Sequence, residues 1–178
     1  MIGIIHGDIK PENVLIFQDE AGQYIAKVID FGYSSRFANE DEDILLPSSW
    51  PWNAPESYSR CKPTQARKMD VFSFGMLCLW VIFENYLSRT RPFPEEARWA
   101  EQYFENAENR SRSKSLLDEL KRSDKLSLLS RQLITTDPDL EENQKVTLLQ
   151  FFDACLVHNP ELREANLKWF SGFRISAQ

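Results

Sequence analysis

Glycine is scarce, with six in 178 residues, at positions 3, 7, 22, 32, 75 and 172. None are two apart, so the chain holds no G-x-G of any kind and none of the glycine-rich turns built on that pattern to cradle phosphates. Cysteine is scarcer still. Cys61, Cys78 and Cys155 are odd in number and far apart, which excludes a disulfide framework and a zinc pattern and points to a reducing compartment. Long apolar runs are missing: the longest, Val71 to Phe83, has 13 residues, too few to span a bilayer but suited to a buried core helix. The N-terminal MIGIIHGD meets a charge too early for a signal peptide. Basic charge is also in deficit, with a net charge of −6, which argues against a nucleic-acid partner. The expectation is an intracellular protein, cytoplasmic or nuclear, with no membrane and no nucleic acid among its partners.

What is present is globular. Hydrophobic residues make up 42% and charged residues 27%, a balance that suits one well-packed domain at this length. Val14–Phe17 and Tyr24–Ile29 are β-rich runs separated by QDEAGQ, in which Gly22 is free to take positive φ, so a hairpin is predicted. Residues 33–53 have neither period and include the acidic run 40–43, expected as a solvated face of an irregular segment. Asp70 is predicted to cap a helix over Val71–Phe83 that is apolar nearly all round. Pro92–Glu96 reads as a helix start, followed by Ala97, Ala100, Phe104 and Ala107 at helical spacing. Residues 109–115 read as a polar, basic connector. Leu116, Leu117 and Leu120, then Leu126, Leu129 and Leu133, form further amphipathic turns. Asp137-Pro138-Asp139 is predicted to restart a helix carrying Leu148, Leu149, Phe152, Cys155 and Leu156. His158 is expected at a helix C-terminus, and Trp50, Trp52 and Trp99 are expected in packing. The fold class is α+β, mainly α: a helical bundle around a buried central helix, with a small β-hairpin.

One stretch carries chemistry. His6-Gly7-Asp8-Ile9-Lys10-Pro11-Glu12-Asn13 puts a carboxylate, a lysine and an amide within six residues, just before a strand. Asp30-Phe31-Gly32 follows at the end of the second strand, so an antiparallel hairpin returns Asp30 toward Asn13. An amide oxygen and a carboxylate are hard ligands that suit Mg²⁺. Asp8 is placed to accept a proton from a hydroxyl nucleophile, and Lys10 to neutralise a transferring phosphate. Metal-assisted phosphoryl transfer is the implied reaction.

These residues closely resemble the catalytic half of a eukaryotic-type protein kinase, whose pattern is H-R-D-x-K-x-x-N, then D-F-G, then A-P-E. Here it stands as His6-Gly7-Asp8 with Lys10 and Asn13, Asp30-Phe31-Gly32, and Ala54-Pro55-Glu56. It continues through Asp70-Val71-Phe72-Ser73-Phe74-Gly75 to Pro160 and Arg163. The resemblance implies a kinase-like helical C-lobe over residues 1–178. Residues 1–32 would be the catalytic loop and metal-binding hairpin, 33–56 the activation segment and 57–178 the helical subdomain. It implies Asp8 as catalytic base and Lys10 as the γ-phosphate contact of a serine/threonine-type enzyme. Asn13 and Asp30 become Mg²⁺ ligands, and with Lys10 they bind ATP. Ser49 becomes a hydroxyl of the activation segment that bridges toward Asp8 and Lys10. Glu56 and Arg163 form a structural ion pair, Asp70 holds the catalytic-loop backbone, and His6 is structural in that loop.

Two departures modify this expectation. Gly7 stands where many kinases carry an arginine that pairs with an activation-segment phosphate, so activity is expected not to need that phosphate. The glycine-rich loop, strand lysine and helix glutamate of the nucleotide-covering N-lobe are not found. The readings are a serine/threonine kinase truncated to its C-lobe, using ATP and Mg²⁺ on a protein substrate, a non-catalytic kinase-like binding module, or an inactive remnant. A missing N-lobe segment or another protein is expected to cover the exposed lobe face.

Overall fold

The computed structural model describes residues 3–37, 39–58, 60–104 and 112–167. The N-terminal part contains two small antiparallel sheets. In one, β1 (Gly3–Ile5) pairs with β4 (Ser35–Phe37), with Ile5 opposite Ser35. In the other, β2 (Val14–Gln18) pairs with β3 (Tyr24–Val28), with Val14 opposite Val28 and Gln18 opposite Tyr24. This is the predicted hairpin, its first strand ending one residue later and its second one residue earlier than expected. Its turn is closed by Asp19, whose carboxylate accepts from Ala21 N at 2.9 Å and Gln23 N at 2.8 Å, while Gly22 takes φ 75°. The hairpin carries apolar side chains into solvent: Leu15 is 54% exposed and Ile16 69%. The β1–β4 pair was not expected, since β4 falls within the segment read as irregular. Strands of three residues are too short to display a period, and the partner lies far away in sequence.

The remaining fold is helical. Helix α1 runs Pro63–Ile82, so it begins well before Asp70 and corrects the predicted cap. Pro63 occupies the first turn, where its missing N–H costs nothing, and the Gln65 side chain accepts from Lys62 N at 3.1 Å. Ala66 and Met69 continue the buried stripe N-terminal to Asp70, which frees the Asp70 carboxylate for another task. Phe72, Met76 and Leu79 are almost wholly buried, as befits a central helix. A short helix α2 (Glu84–Leu87) follows. Glu95–Phe104 is a 3-10 helix rather than the expected α-helix, and it still buries Ala97, Ala100 and Phe104. Ala107 and residues 109–111 of the expected connector lie outside the described residues. The connector's remainder belongs to α3 (Arg112–Arg122), whose Leu116, Leu117 and Leu120 are fully buried.

Helix α4 (Leu126–Thr136) buries Leu126, Leu129 and Leu133. Asp137 terminates α4 rather than starting a helix; α5 (Glu142–Cys155) begins later, where the Gln144 side chain accepts from Glu141 N at 2.9 Å. Pro138 accounts for the difference, because it disfavours α geometry at the residue before it. Helix α5 packs across α1. At Gly75 a Cβ would come within 2.6 Å of Cys155 Cβ, so glycine permits this close crossing. Phe74 meets Phe151 edge to face at 5.8 Å beside it. Of the predicted α5 stripe, Leu148, Phe152, Cys155 and Leu156 are buried and Leu149 partly so.

His158 lies beyond the end of α5, not within it. Trp52 is buried edge to face with Trp80, and Trp99 packs at the core margin, but Trp50 is 45% exposed and departs from its expected role. The acidic run is exposed, with Glu40 on Arg67 and Asp43 on Lys62. Among the described residues no helix is long and apolar enough to cross a membrane.

Candidate active site

The loop between β1 and β2 is pinned from below by the central helix. Asp70 on α1 accepts from His6 N at 2.7 Å and from Gly7 N at 2.9 Å, so one side chain satisfies two successive loop amides. Burial pushes the Asp70 carboxyl above its ordinary value, against the pull of these hydrogen bonds and of His6. Gly7 takes φ +79°, a left-handed conformation that glycine adopts without strain. A Cβ here would also meet Leu46 Cδ2 at 3.0 Å and Tyr33 O at 3.3 Å, so Leu46 and Pro47 pack where a side chain at position 7 would begin. His6 ties the loop to residues 29–31. Its Nδ1 accepts from Asp8 N at 3.2 Å, its Nε2 reaches Ile29 O at 3.0 Å, and its ring meets Phe31 edge to face at 5.0 Å.

Asp8 is 2% exposed and is surrounded by donors. Lys10 Nζ lies 2.7 Å and Asn13 Nδ2 3.0 Å from its Oδ2, and the Ser49 hydroxyl donates to its Oδ1. Burial pushes the Asp8 carboxyl upward. The hydrogen bonds from Lys10, Ser49 and Asn13, with the charge of Lys10, outweigh it and hold the group below its ordinary value. The same pair raises Lys10, chiefly through its hydrogen bond to Asp8. Asp8, Lys10, Asn13 and Ser49 therefore converge in space, although Ser49 comes from a segment without regular structure.

Asn13 Nδ2 also donates to Asp8 O at 2.8 Å, which commits the nitrogen end of the amide to Asp8 and leaves its oxygen end to other partners. Ile29 N donates to Asn13 O at 2.9 Å, so the hairpin ladder brings the Asp30 end of β3 back beside Asn13. Asp30 is exposed, sits at φ 60° and, among the described residues, accepts from Gly32 N at 3.2 Å. An amide oxygen and a carboxylate at the open end of one hairpin fit a small hard cation that keeps most of its shell for water and phosphate. Among the described residues no cluster of three or more His, Cys, Asp or Glu is built to hold a metal alone.

Away from the loop, Arg163 is 2% exposed. It meets Glu56 through Nη1–Oε1 at 2.5 Å and Nη2–Oε2 at 3.3 Å. It also donates to Val157 O at 2.9 Å and lies over the Phe72 ring at 4.6 Å. Asp8, Ser49, Leu46, Asn53, Met69 and Ser73 line a cleft between the loop, the following segment and α1.

One residue beside this cleft escaped sequence reasoning. Lys121, on α3, is 3% exposed and its ammonium lies among backbone carbonyls of residues 51–53. Burial pulls it below an ordinary lysine, with Asp118 opposing. The sequence does contain a signal: Lys121 is one helical turn after Leu117, on the stripe otherwise occupied by leucine.

Comparison with known proteins adds to this geometry. The sequence profile of the protein kinase domain matches residues 2–168. A G-type lectin S-receptor-like serine/threonine-protein kinase of Arabidopsis thaliana is 42% identical over 81 residues, covering 44% of this chain and 9% of that protein. A serine/threonine-protein kinase/endoribonuclease of the same plant is 30% identical over 152 residues, 83% of this chain and 16% of that protein. A serine/threonine-protein kinase of Caenorhabditis elegans is 36% identical over 95 residues, 53% of this chain and 18% of that protein. The matched region thus spans 9–18% of the length of these relatives. With that profile matching most of the sequence, the chain belongs to the protein kinase domain family.

Proposed function

We propose that this chain is the helical catalytic lobe of a serine/threonine protein kinase, transferring the γ-phosphoryl group of ATP to a protein hydroxyl. The observation that carries this reading is Asp8: a buried carboxylate kept ionised among Lys10, Asn13 and Ser49. In the reaction the substrate hydroxyl oxygen attacks the γ-phosphorus as its proton passes to Asp8, and the bond to the β–γ bridging oxygen breaks to release ADP. Lys10 turns from Asp8 toward the negative charge on the transferring group. Asn13 and Asp30 are the residues that would hold Mg²⁺, which when bound neutralises phosphate charge. Residues 33–56 act as the activation segment, anchored by Glu56 on Arg163. Phe37, Ile44, Leu46 and Trp52 of that segment are buried in the core, so apolar packing orders it without a phosphate.

The test is transfer from Mg-ATP to a generic protein substrate by the purified chain and by Asp8→Asn. Transfer by the wild type and its loss in the variant are expected; transfer that survives the substitution removes Asp8 as the base.

A second reading, a kinase-like module that binds another protein, is favoured by one observation. Ile16 and Tyr24, on one face of the hairpin, are 69% and 77% exposed, and Leu15 on the other face is 54% exposed, so the hairpin offers apolar side chains to a covering partner or N-lobe segment. No transfer by the wild type, together with capture of a protein that Ile16→Lys abolishes, decides for this reading.

A further inference from the structure

Among the described lysines, Lys121 is the buried one. Its Nζ donates to Pro51 O at 2.7 Å, Asn53 O at 3.0 Å and Asn53 Oδ1 at 3.2 Å, and pairs with Asp118 Oδ1 at 3.2 Å. Four acceptors thus surround three protons in a buried site. A surface lysine would keep its ammonium in water, so this one is placed at a desolvation cost that its partners offset.

The acceptors reveal what is being held. Pro51 and Asn53 flank Trp52, which is 1% exposed and packs edge to face on Trp80 of α1 at 5.8 Å. Anchoring Trp52 leaves the carbonyls on either side facing the interior, and Lys121 satisfies both. The Asn53 amide is oriented as well, since its Oδ1 faces Lys121 and its Nδ2 donates to Ser57 Oγ at 2.8 Å. Asn53 N in turn donates to Ser49 O at 3.0 Å, closing a turn over residues 49–53. At the start of that turn the Ser49 hydroxyl bonds Asp8.

We propose that Lys121 is a positioning residue: from α3 it fixes the 49–53 turn and thereby sets where the Ser49 hydroxyl meets Asp8. The proposal rests on the kinase reading, and acts through Ser49 rather than through substrate. It connects a helix remote in sequence to the orientation of the base, through one backbone turn.

The experiment compares wild type, Lys121→Met, Lys121→Arg, Ser49→Ala and the Lys121→Met/Ser49→Ala double variant. It measures kcat and KM for ATP, and hydrogen exchange at the Asn53 amide. Lys121→Met is expected to lower kcat about 10- to 100-fold, the cost of a small misplacement, with KM for ATP unchanged. It also accelerates Asn53 exchange, and Lys121→Arg recovers part of both. The double variant is no slower than Ser49→Ala alone, because both changes remove one positioning effect. Should Lys121→Met not fold, Asn53→Ala replaces it: this deletes one acceptor, leaves the ammonium on Asp118, and is expected to shift the same measurements in the same direction. Unaltered Asn53 exchange overturns the proposal, as does a Lys121→Met loss that multiplies fully with that of Ser49→Ala. Absence of transfer by the wild type overturns the kinase reading instead, and the exchange measurement then decides the placement of the turn by itself.

Discussion

Asp8 and Asp30 stand at the two ends of the candidate site and are held very differently. Asp8 is 2% exposed, accepts from three side chains, and belongs to a loop bolted to α1 through Asp70. Asp30 is exposed at the mouth of a hairpin whose apolar side chains face solvent, and among the described residues its hydrogen bond is to its own turn. The helical core therefore preorganises the proposed proton-accepting end. The proposed phosphate and metal end has the right groups but little support, which is what a site looks like when a ligand is to supply the missing contacts.

The largest expected effect lies at the supported end. Asp8→Asn should cost about 10²–10⁴-fold in kcat, the range of a general base. The same variant should alter the acid limb of the stability curve. The folded Asp8 carboxyl lies below its ordinary value, so its contribution is present above that value, roughly pH 4, and fades as pH falls through the lower folded value. Urea unfolding between about pH 2 and 5 should thus show a shallower pH dependence in Asp8→Asn than in the wild type. An identical slope would mean Asp8 is not held low, and the contrast with Asp30 would collapse.

Arg163→Met tests the frame behind the supported end. It strands the Glu56 carboxylate and leaves part-buried carbonyls such as Val157 O without their donor, at a cost on the order of 3–5 kcal/mol in denaturant unfolding. Gly7→Ala should cost about 1–2 kcal/mol, by placing a Cβ at positive φ against Leu46 and Tyr33 O. A neutral result would mean that the loop is looser than its hydrogen bonds imply. In the same segment, replacing Ser34, Ser35 and Ser48 one at a time should leave transfer unchanged. A loss that an acidic residue restores would show that a phosphate, not Leu46, orders it.

The smallest effect on stability is expected at the unsupported end. Asp30→Ala should change the unfolding free energy by less than about 0.5 kcal/mol, because the side chain is exposed and bonds only locally. It should nevertheless abolish any rise in melting temperature on adding Mg-ATP. A large loss of stability without ligand would erase the distinction between the two ends.

Much of this was legible beforehand because the information is local. The hairpin follows from two β-rich runs around Gly22, and the spacing of Asp8, Lys10 and Asn13 predicts that they act together. What escaped depends on distant partners. The β1–β4 pair joins strands too short to have a period. The start of α1 at Pro63 was hidden because Asp70 also makes a good cap in isolation. The exposed Trp50 and the buried Lys121 both invert the usual preference of their side chains, and only the surrounding chain reveals why.

By itself the sequence determined the chemistry available: a carboxylate, a lysine, an amide and a second carboxylate in a fixed order, and the apolar stripes that make helices. Only the tertiary structure decided how those groups are held. Whether a carboxylate stays ionised depends on which donors surround it and how far water is excluded. Ser49 and Asp70 reach the loop from separate parts of the chain, so burial and hydrogen bonding at Asp8 exist only once α1 and the 49–53 turn have packed beside it.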